Sequence, residues 1–335
     1  MSNLNIAIVG TDTAAGKLLL EKLEESSMEI EVLYPLEKLP EDYSSIRFRK
    51  KTCLIEKLDD FDFTSVSLVF FTGSRKNISE HITRALESGC YVIDDTGAEV
   101  PDYDVLTVIP EINGDEIAGC RTRLFRSPHA VTIQTALAMN EIISQFGLES
   151  LDITSFEAVS GEGQPAVTEL ANQAISLFNT KPVVNRHFPV QSAFNTIPSM
   201  VDFESGESYS EHEKQILGEI ENFLPQISGR VCVNSFFVPV FYGHSTLFSF
   251  STSMPVSVEE IRQVLADSSM ISYVDREVVT PVTHGVSRDL PVVTRLRRST
   301  AGENQFNLFS VIDNSLKGEV LNCIQIAEKI IEYIG

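Results

Sequence analysis

The sequence predicts an α/β protein in two parts, a parallel sheet layered by helices followed by a strand-rich α+β portion. Three observations carry this. Through the first third, short apolar β-rich runs alternate with amphipathic helical stretches, the pattern of a parallel sheet covered on both faces. From residue 151 to about 300 the strands grow long, alternating and rich in Ser and Thr, the pattern of an antiparallel sheet with one exposed face. The chain then ends on an amphipathic helix.

Taken in order, residues 5–9 (NIAIV) form a first strand. Residues 17–25 follow as a helix, with Leu19, Leu20 and Leu23 at helical spacing. Residues 29–33 alternate as a second strand, 67–71 form a buried strand, and 79–88 an amphipathic helix. Short strands are expected at 91–94 and 105–109, and a long helix at 131–146, just after Pro128. The stretches SLDITSFEAVS, VCVNSFFVPVF and STLFSFSTS supply the later strands. The final helix, 316–334, carries Leu321, Ile324, Ile326, Ile330 and Ile331 and is of a kind that packs back on the first domain.

Composition narrows the function classes. The chain has 335 residues, 43% of them hydrophobic, enough for two cores. No apolar run approaches the ~20 residues that span a bilayer. The first residues lead straight into a strand, without the parts of a signal peptide, so a cytoplasmic location is expected. The formal net charge of −21 repels nucleic acid and anionic membranes, so neither is expected as a partner. The five cysteines are widely spaced with no CxxC, which predicts neither disulfides nor structural zinc. The six histidines show no HxxxH or HxH, so their spacing predicts no metal site.

The first strand ends in GTDTAAG, Gly10 to Gly16. A glycine-rich turn between strand and helix presents backbone amides and the helix dipole to a pyrophosphate, and Gly10, Thr11, Thr13 and Gly16 are the candidate contacts. Thr13 holds the middle position. If a left-handed backbone is required there, a β-branched residue costs roughly 1–2 kcal/mol. A plain strand-helix turn fits the same residues. The acidic residue expected ~20 positions further on has no clear counterpart: Glu29 precedes the second strand, and PLEKLPEDYSS follows it.

Beyond these patterns, YVIDD, VIPEIN, SPHAVTIQTAL, AVSGEGQPAVTEL, FNTIPS, VPVFYGHS, PVSVEE and VIDNSLKGEVLNCIQIAE, together with the N-terminal segment, resemble the aspartate-semialdehyde dehydrogenase family over almost the whole length. The resemblance implies a Rossmann-like dinucleotide-binding domain (1–129 and 315–335), an α+β catalytic and dimerisation domain (130–314), NAD or NADP as cofactor, and a homodimer. It also implies a cysteine nucleophile, a histidine serving it, an orienting glutamine and two arginine clamps. This chain departs from that set. Where the family has a segment like NPNCSTIQ, Ala130 stands in SPHAVTIQ. Glu157 replaces the amide in FEAVSGEG. Phe237 stands at the substrate arginine in FVPVFYGHS, which keeps His244. Val100 stands at the phosphate arginine in DTGAEVPD. The pattern is similar to the cysteine-less, usg-type branch.

A plain reading stands beside each retained residue. His244 is a leftover or half of a pair with Glu157, whose pKa an apolar setting would raise. His129 is a neighbour of the vacant position or a substitute nucleophile. Glu219, in YSEHEKQILGEI, matches the family's substrate-amine helix or is a solvated acid. Asn314 matches a position near the nicotinamide or is a turn residue. Cys120 is expected on a strand, as core. With Thr13 at the central position of the turn, and Glu37, Glu41 and Asp42 opposing a 2′-phosphate that Lys38, the one nearby cation, would offset only in part, dinucleotide binding is expected to be weak, with no advantage for NADP. The readings that follow are a non-catalytic dimeric pseudo-enzyme, an oxidoreductase of altered chemistry acting on a small aldehyde or oxo substrate, and a protein partner of a true dehydrogenase.

Overall fold

A computed structural model of the chain describes residues 4–73, 77–199 and 206–334. Its contacts divide into two compact units, Met1–Pro128 with Glu319–Gly335, and His129–Gly318.

The first unit is built on a seven-stranded sheet. β1 (Leu4–Val9) turns through Gly10 into α1 (Ala14–Glu25), and β2 (Ile30–Glu37) pairs parallel beside β1. A separate hairpin, β3 (Ser45–Phe48) and β4 (Lys51–Leu54), precedes β5 (Glu56–Lys57), β6 (Leu68–Phe71), α2 (Ser79–Glu87), β7 (Tyr91–Asp94), β8 (Leu106–Thr107), α3 (Pro110–Asn113) and β9 (Leu124–Arg126). The order is β5-β2-β1-β6-β7-β9-β8, every pair parallel. Along β1, Ile6 and Ile8 belong to one core, with Leu19 and Leu23 of α1; Ala7 and Val9 belong to the other, with Ile82 and Ala85 of α2. That alternation is what a strand buried on both faces requires.

The structure corrects several expectations here. α1 starts at Ala14 rather than 17, because Thr13 caps it. β2 runs on to Glu37 rather than stopping at Leu33. Pro35 suggests a stop, but β5 pairs only with Leu36 and Glu37, so the missing Pro35 amide leaves no ladder bond unmade. The strand expected at 105–109 shrinks to Leu106–Thr107. Cys120 is the C-cap of a 3₁₀ turn, not a strand residue.

The second unit opens with α4 (Ala130–Phe146), followed by β10 (Leu148–Ala158), α5 (Gln164–Phe178), β11 (Ile197–Pro198), α6 (Glu211–Phe223), β12 (Val231–Val238), β13 (His244–Thr252), α7 (Val258–Asp267), β14 (Ser272–Val274), β15 (Val292–Arg298) and β16 (Gln305–Ile312). The sheet order is β11-β12-β10-β13-β16-β15-β14. It is mixed, not antiparallel: β10 pairs parallel with β12, and β14 with β15. The crossover from β10 to β12 carries α5 and α6, enough chain to return to the starting end. Buried α4 is fixed to the sheet by Gln134, which donates to Ser310 Oγ at 3.0 Å and accepts from Thr246 Oγ1 at 2.8 Å.

After a π-helical turn at Leu316–Val320, the chain ends on α8 (Leu321–Ile334), whose Ile324, Ile326 and Ile330 pack in the first unit's core. The terminal helix thus begins later than expected. Among the described residues no helix is long and apolar enough to cross a membrane.

Candidate functional site

Two constellations contain nearly all the residues singled out from the sequence. The first is the turn after β1. Gly10 has φ +91°, and a Cβ there would stand 2.6 Å from the Thr72 carbonyl oxygen. A Cβ on Gly16 would stand 2.1 Å from the Gly10 carbonyl oxygen. Both glycines are therefore required by close backbone approach. Thr13 is not left-handed: its φ of −76° and ψ of 164° are ordinary extended backbone, so the expected strain is absent. Its hydroxyl donates to Gly10 O at 2.7 Å and accepts from Gly16 N at 3.0 Å. Thr13 therefore closes the turn and caps α1, taking up one of the helix-end amides that an anion would otherwise meet.

The second constellation lies wholly in the second unit, around Glu157 at the end of β10. This carboxylate is buried. Its Oε1 accepts from Ser155 Oγ at 2.7 Å and from Ser235 Oγ of β12 at 2.6 Å. His212 Nε2, from the first turn of α6, lies 2.9 Å from Oε2 and 3.1 Å from Oε1. His129 Nε2 and His244 Nε2 face Oε2 from 3.8 and 4.0 Å. The three imidazoles are close: His129 and His212 are edge to face at 4.8 Å, and His129 and His244 are stacked at 6.2 Å.

The protonation pattern follows from this geometry. Burial alone would push the Glu157 carboxyl up, but the hydrogen bond and charge of His212, with the charges of His129 and His244, hold it well below the usual carboxylate range. For His212 burial pulls down, and the hydrogen bond to Glu157 and its charge overcome that, so its pKa is raised. Burial lowers His129, and it lowers His244 to about 4. The shifts favour a Glu157–His212 ion pair, flanked by two histidines whose lowered pKa favours the neutral ring. The expectation of a raised Glu157 paired with His244 is thus corrected, because the charged partner comes from α6.

His129, Glu157 and His212 place one donor atom each within 4.8 Å of one another. The ring bond of His129 does not suit a metal, and His244 beside the group is held the same way. The amide of Val131 donates to His129 Nδ1 at 3.2 Å, and that of Ala158 to His244 Nδ1 at 3.0 Å. With Nδ1 accepting, Nε2 carries the proton in each neutral ring, whereas a metal-ligating histidine donates from its outer nitrogen. The arrangement instead points N–H groups at a carboxylate. Chemically it can hold a proton and pass it between carboxylate and imidazole.

The structure places each of the other predicted residues within its own unit. Ala130 is the first residue of α4, its methyl packed where a Cβ on Gly318 would come within 2.6 Å. Glu219 Oε2 accepts from the His129 amide at 2.9 Å and Thr132 Oγ1 at 2.7 Å, anchoring α6 to the start of α4. Phe237 lies beside Glu157 in strand register, against His212 at 5.9 Å and Phe188 at 5.4 Å, in an apolar wall. Asn314 accepts from the Gly243 amide at 2.9 Å and donates to Ser160 Oγ at 3.0 Å, bracing the residues before His244. Gly161 lets the chain approach the His244 ring, which a Cβ would meet at 3.2 Å. Val100 lies in the first unit, buried in the apolar core with Ala98.

His212, Ser155 and Ser235 were not found by sequence reasoning. They have no motif, and only the pairing of β10 with β12 and the packing of α6 bring them to Glu157. Position 130 holds an alanine, and the five cysteines lie elsewhere in the sequence. Cys90 donates to Phe63 O and Val66 O, and burial pushes its thiol up to about 11. Burial also raises Cys53, Cys120 and Cys323, so all four favour the unreactive thiol. Cys232 stands on β12 five residues before Phe237, about 17 Å along the strand.

Comparison with known proteins gives a consistent picture. A family model described as "Semialdehyde dehydrogenase, NAD binding domain" matches residues 5–120, and one described as "Semialdehyde dehydrogenase, dimerisation domain" matches residues 139–317. The chain is 33% identical to an aspartate-semialdehyde dehydrogenase of Shewanella violacea, over 98% of this chain and 97% of that one. It is 30% identical to a USG-1 protein homolog of Pseudomonas aeruginosa, over 98% of each. The crystal structure of aspartate semialdehyde dehydrogenase II from Vibrio cholerae superposes with a TM-score of 0.92 at 30% identity, covering 99% of each chain. A probable aspartate-semialdehyde dehydrogenase from Pseudomonas aeruginosa gives a TM-score of 0.92 at 29% identity, covering both chains in full.

Proposed function

The chain belongs to the aspartate-semialdehyde dehydrogenase family, and from that premise we propose that it is a member that does not perform the phosphorylating oxidation of the semialdehyde. The observation that carries this reading is the methyl group of Ala130 at the start of α4, next in the chain to His129. Thioester chemistry needs a thiolate that is both nucleophile and leaving group, and no imidazole of the cluster substitutes for it in both roles. The loss is not isolated. Phe237 makes an apolar wall where the resemblance places a substrate arginine, and Val100 is buried core where it places a phosphate arginine. A carboxylate or phosphate brought there without its fork of donors is left unpaired. The purified protein is expected to show no phosphate- and NADP-dependent oxidation of aspartate semialdehyde above background; turnover at the rate of an authentic family enzyme defeats the reading.

A second reading is favoured by the cluster itself. The Glu157–His212 pair and its neutral neighbours form an acid/base array, able to donate a proton to a substrate carbonyl oxygen as hydride adds to its carbon, or to take that proton back from the hydroxyl in the reverse direction, without a covalent intermediate. An oxidoreductase acting directly on a small aldehyde or oxo substrate fits this array. A nicotinamide-dependent screen over such substrates decides between the two: turnover abolished by Glu157→Gln selects the second.

The same premise supports a homodimer through the second unit. That unit exposes Phe178 (80%), Phe194 (65%) and Ile175 (59%), with the two phenyl rings in edge-to-face contact at 5.7 Å. Clustered exposed apolar side chains mark interaction surfaces. A solution mass near the 37.2 kDa of one chain at micromolar concentration overturns this assignment.

A further inference from the structure

The carboxyl end of β2 carries a residue whose use the second unit's chemistry does not explain. In sheets of this kind the second strand delivers its last side chain to the rim of the crevice beside the glycine turn, about 20 residues past the glycines. Glu37 is that last residue, 21 positions after Gly16. Its placement is fixed on two sides. The Gly10 amide donates to Leu36 O at 3.0 Å, which ties the end of β2 to the turn. The Thr11 hydroxyl donates to Glu37 Oε1 at 2.9 Å. Glu37 Oε2 accepts nothing from the described residues.

We propose that Glu37, held by Thr11, is the cofactor-selecting residue of the first unit, and that the unit takes a dinucleotide with a free ribose 2′-hydroxyl, NAD, in preference to NADP.

The residues present fit such a group. Gly10, Gly16 and Gly73 leave a cradle that side chains would fill: a Cβ at Gly73, whose φ is +89°, would stand 2.8 Å from Thr13 Cγ2. The first-turn amides of Ala14 and Ala15 have no acceptor within the helix and face the N-terminal, anion-attracting end of its dipole. A carboxylate with one oxygen anchored and the other open is an acceptor for a ribose hydroxyl pair. The same carboxylate repels a 2′-phosphate, so one group both attracts the correct ligand and excludes the other. Arg49 does not offset this, since its guanidinium is spent on Leu23 O, Ser26 O and Met28 O at the end of α1. Thr13 occupies the Gly16 amide, so the phosphate-binding part of the cradle is diminished while the ribose-selecting part is whole. The expected outcome is therefore modest affinity with clear selectivity. This assignment is independent of whether the second unit catalyses anything, because it concerns binding alone.

Calorimetric titration of the full chain with NAD and with NADP tests it. NAD is expected to bind at least about tenfold tighter than NADP, a difference of about 1.4 kcal/mol. Glu37→Ser is expected to weaken NAD and bring the two within about threefold of each other, a residual difference of at most about 0.65 kcal/mol. Thr11→Val, which leaves the carboxylate but removes its anchor, should narrow the preference to a lesser extent. Thermal melts of both variants establish that they fold. NADP binding as tightly as NAD, a preference unchanged by Glu37→Ser, or no heat with either dinucleotide at millimolar concentration overturns the proposal.

Discussion

The glycine turn of the first unit and the histidine cluster of the second react in opposite ways to replaced residues. In the turn, the geometry belongs to the backbone. Gly10 and Gly16 fix it through approaches no side chain permits, and a threonine between them is absorbed as a helix cap without strain. In the cluster, the chemistry belongs to the side chains. On the proposed reading, side chains change while the strands stay in place: Glu157, Ala130 and Phe237 occupy well-formed positions on β10, α4 and β12. A fold therefore preserves a backbone-made site through substitution more readily than a side-chain-made one.

Four experiments sharpen or break this contrast. The largest expected effect is a failure to recover. Ala130→Cys places a thiol at the start of α4, but on the proposed reading two anion clamps are still missing. Each truncated buried charge pair costs about 2–5 kcal/mol, so activity should stay at least about a thousandfold below an authentic family enzyme. Substantial turnover in this single variant would mean that the surrounding side chains matter far less than the contrast requires.

Glu157→Ala comes next. It strands His212 and two serine hydroxyls without their acceptor, and removing one member of a buried ion pair costs about 3–5 kcal/mol. Denaturant titration should show a loss of that size, and Glu157→Gln, which keeps the shape and lets His212 shed its proton, a smaller one. Equal losses in the two variants would remove the electrostatic account.

The third effect is pH dependence, with its sign set by the shifts. His244 and His129 are depressed, so they favour folding above the unfolded value of ~6.5, and that contribution is lost as pH falls toward about 4 for His244. Glu157 is depressed too, and its contribution is lost only at still lower pH. His212 is raised, so its contribution is full below ~6.5 and is lost as pH climbs through its folded value. Stability should peak near ~pH 6.5, with each titrating histidine contributing at most about 1.4 kcal/mol per pH unit. His212→Gln should flatten the alkaline limb; a limb left unchanged would assign it to other groups.

The smallest effect belongs to the turn. Thr13→Ala removes a cap and should cost about 1 kcal/mol, while Thr13→Gly should cost only a few tenths. By freeing the Gly16 amide, Thr13→Gly should also tighten dinucleotide binding beyond the ~0.1 mM (about −5.5 kcal/mol) expected as the limit for the native chain. A low-micromolar dissociation constant in the native chain would show that Thr13 does not obstruct the cradle.

Local pattern accounts for much of the first unit. β1, α2 and β7 are legible because each buries a continuous or amphipathic run that period alone reveals. β9 and the hairpin of β3 and β4 escaped notice because LFR and SIRF are too short to show a period. Pro35 concealed the true end of β2, so Glu37 read as part of the segment after the strand rather than as its last residue. In the second unit α4 was visible, but the parallel pairing of β10 with β12 was not, since strand direction depends on what the intervening chain does.

By itself the sequence determined the alternating layers of the first unit and the glycine turn, because each is written in adjacent residues. Only the tertiary structure decided that Glu157 is a charged acid paired with His212. Residues 129, 157, 212 and 244 lie on four separate elements, and the sign of a buried group's pKa shift is the balance of desolvation against partners that folding alone brings within reach.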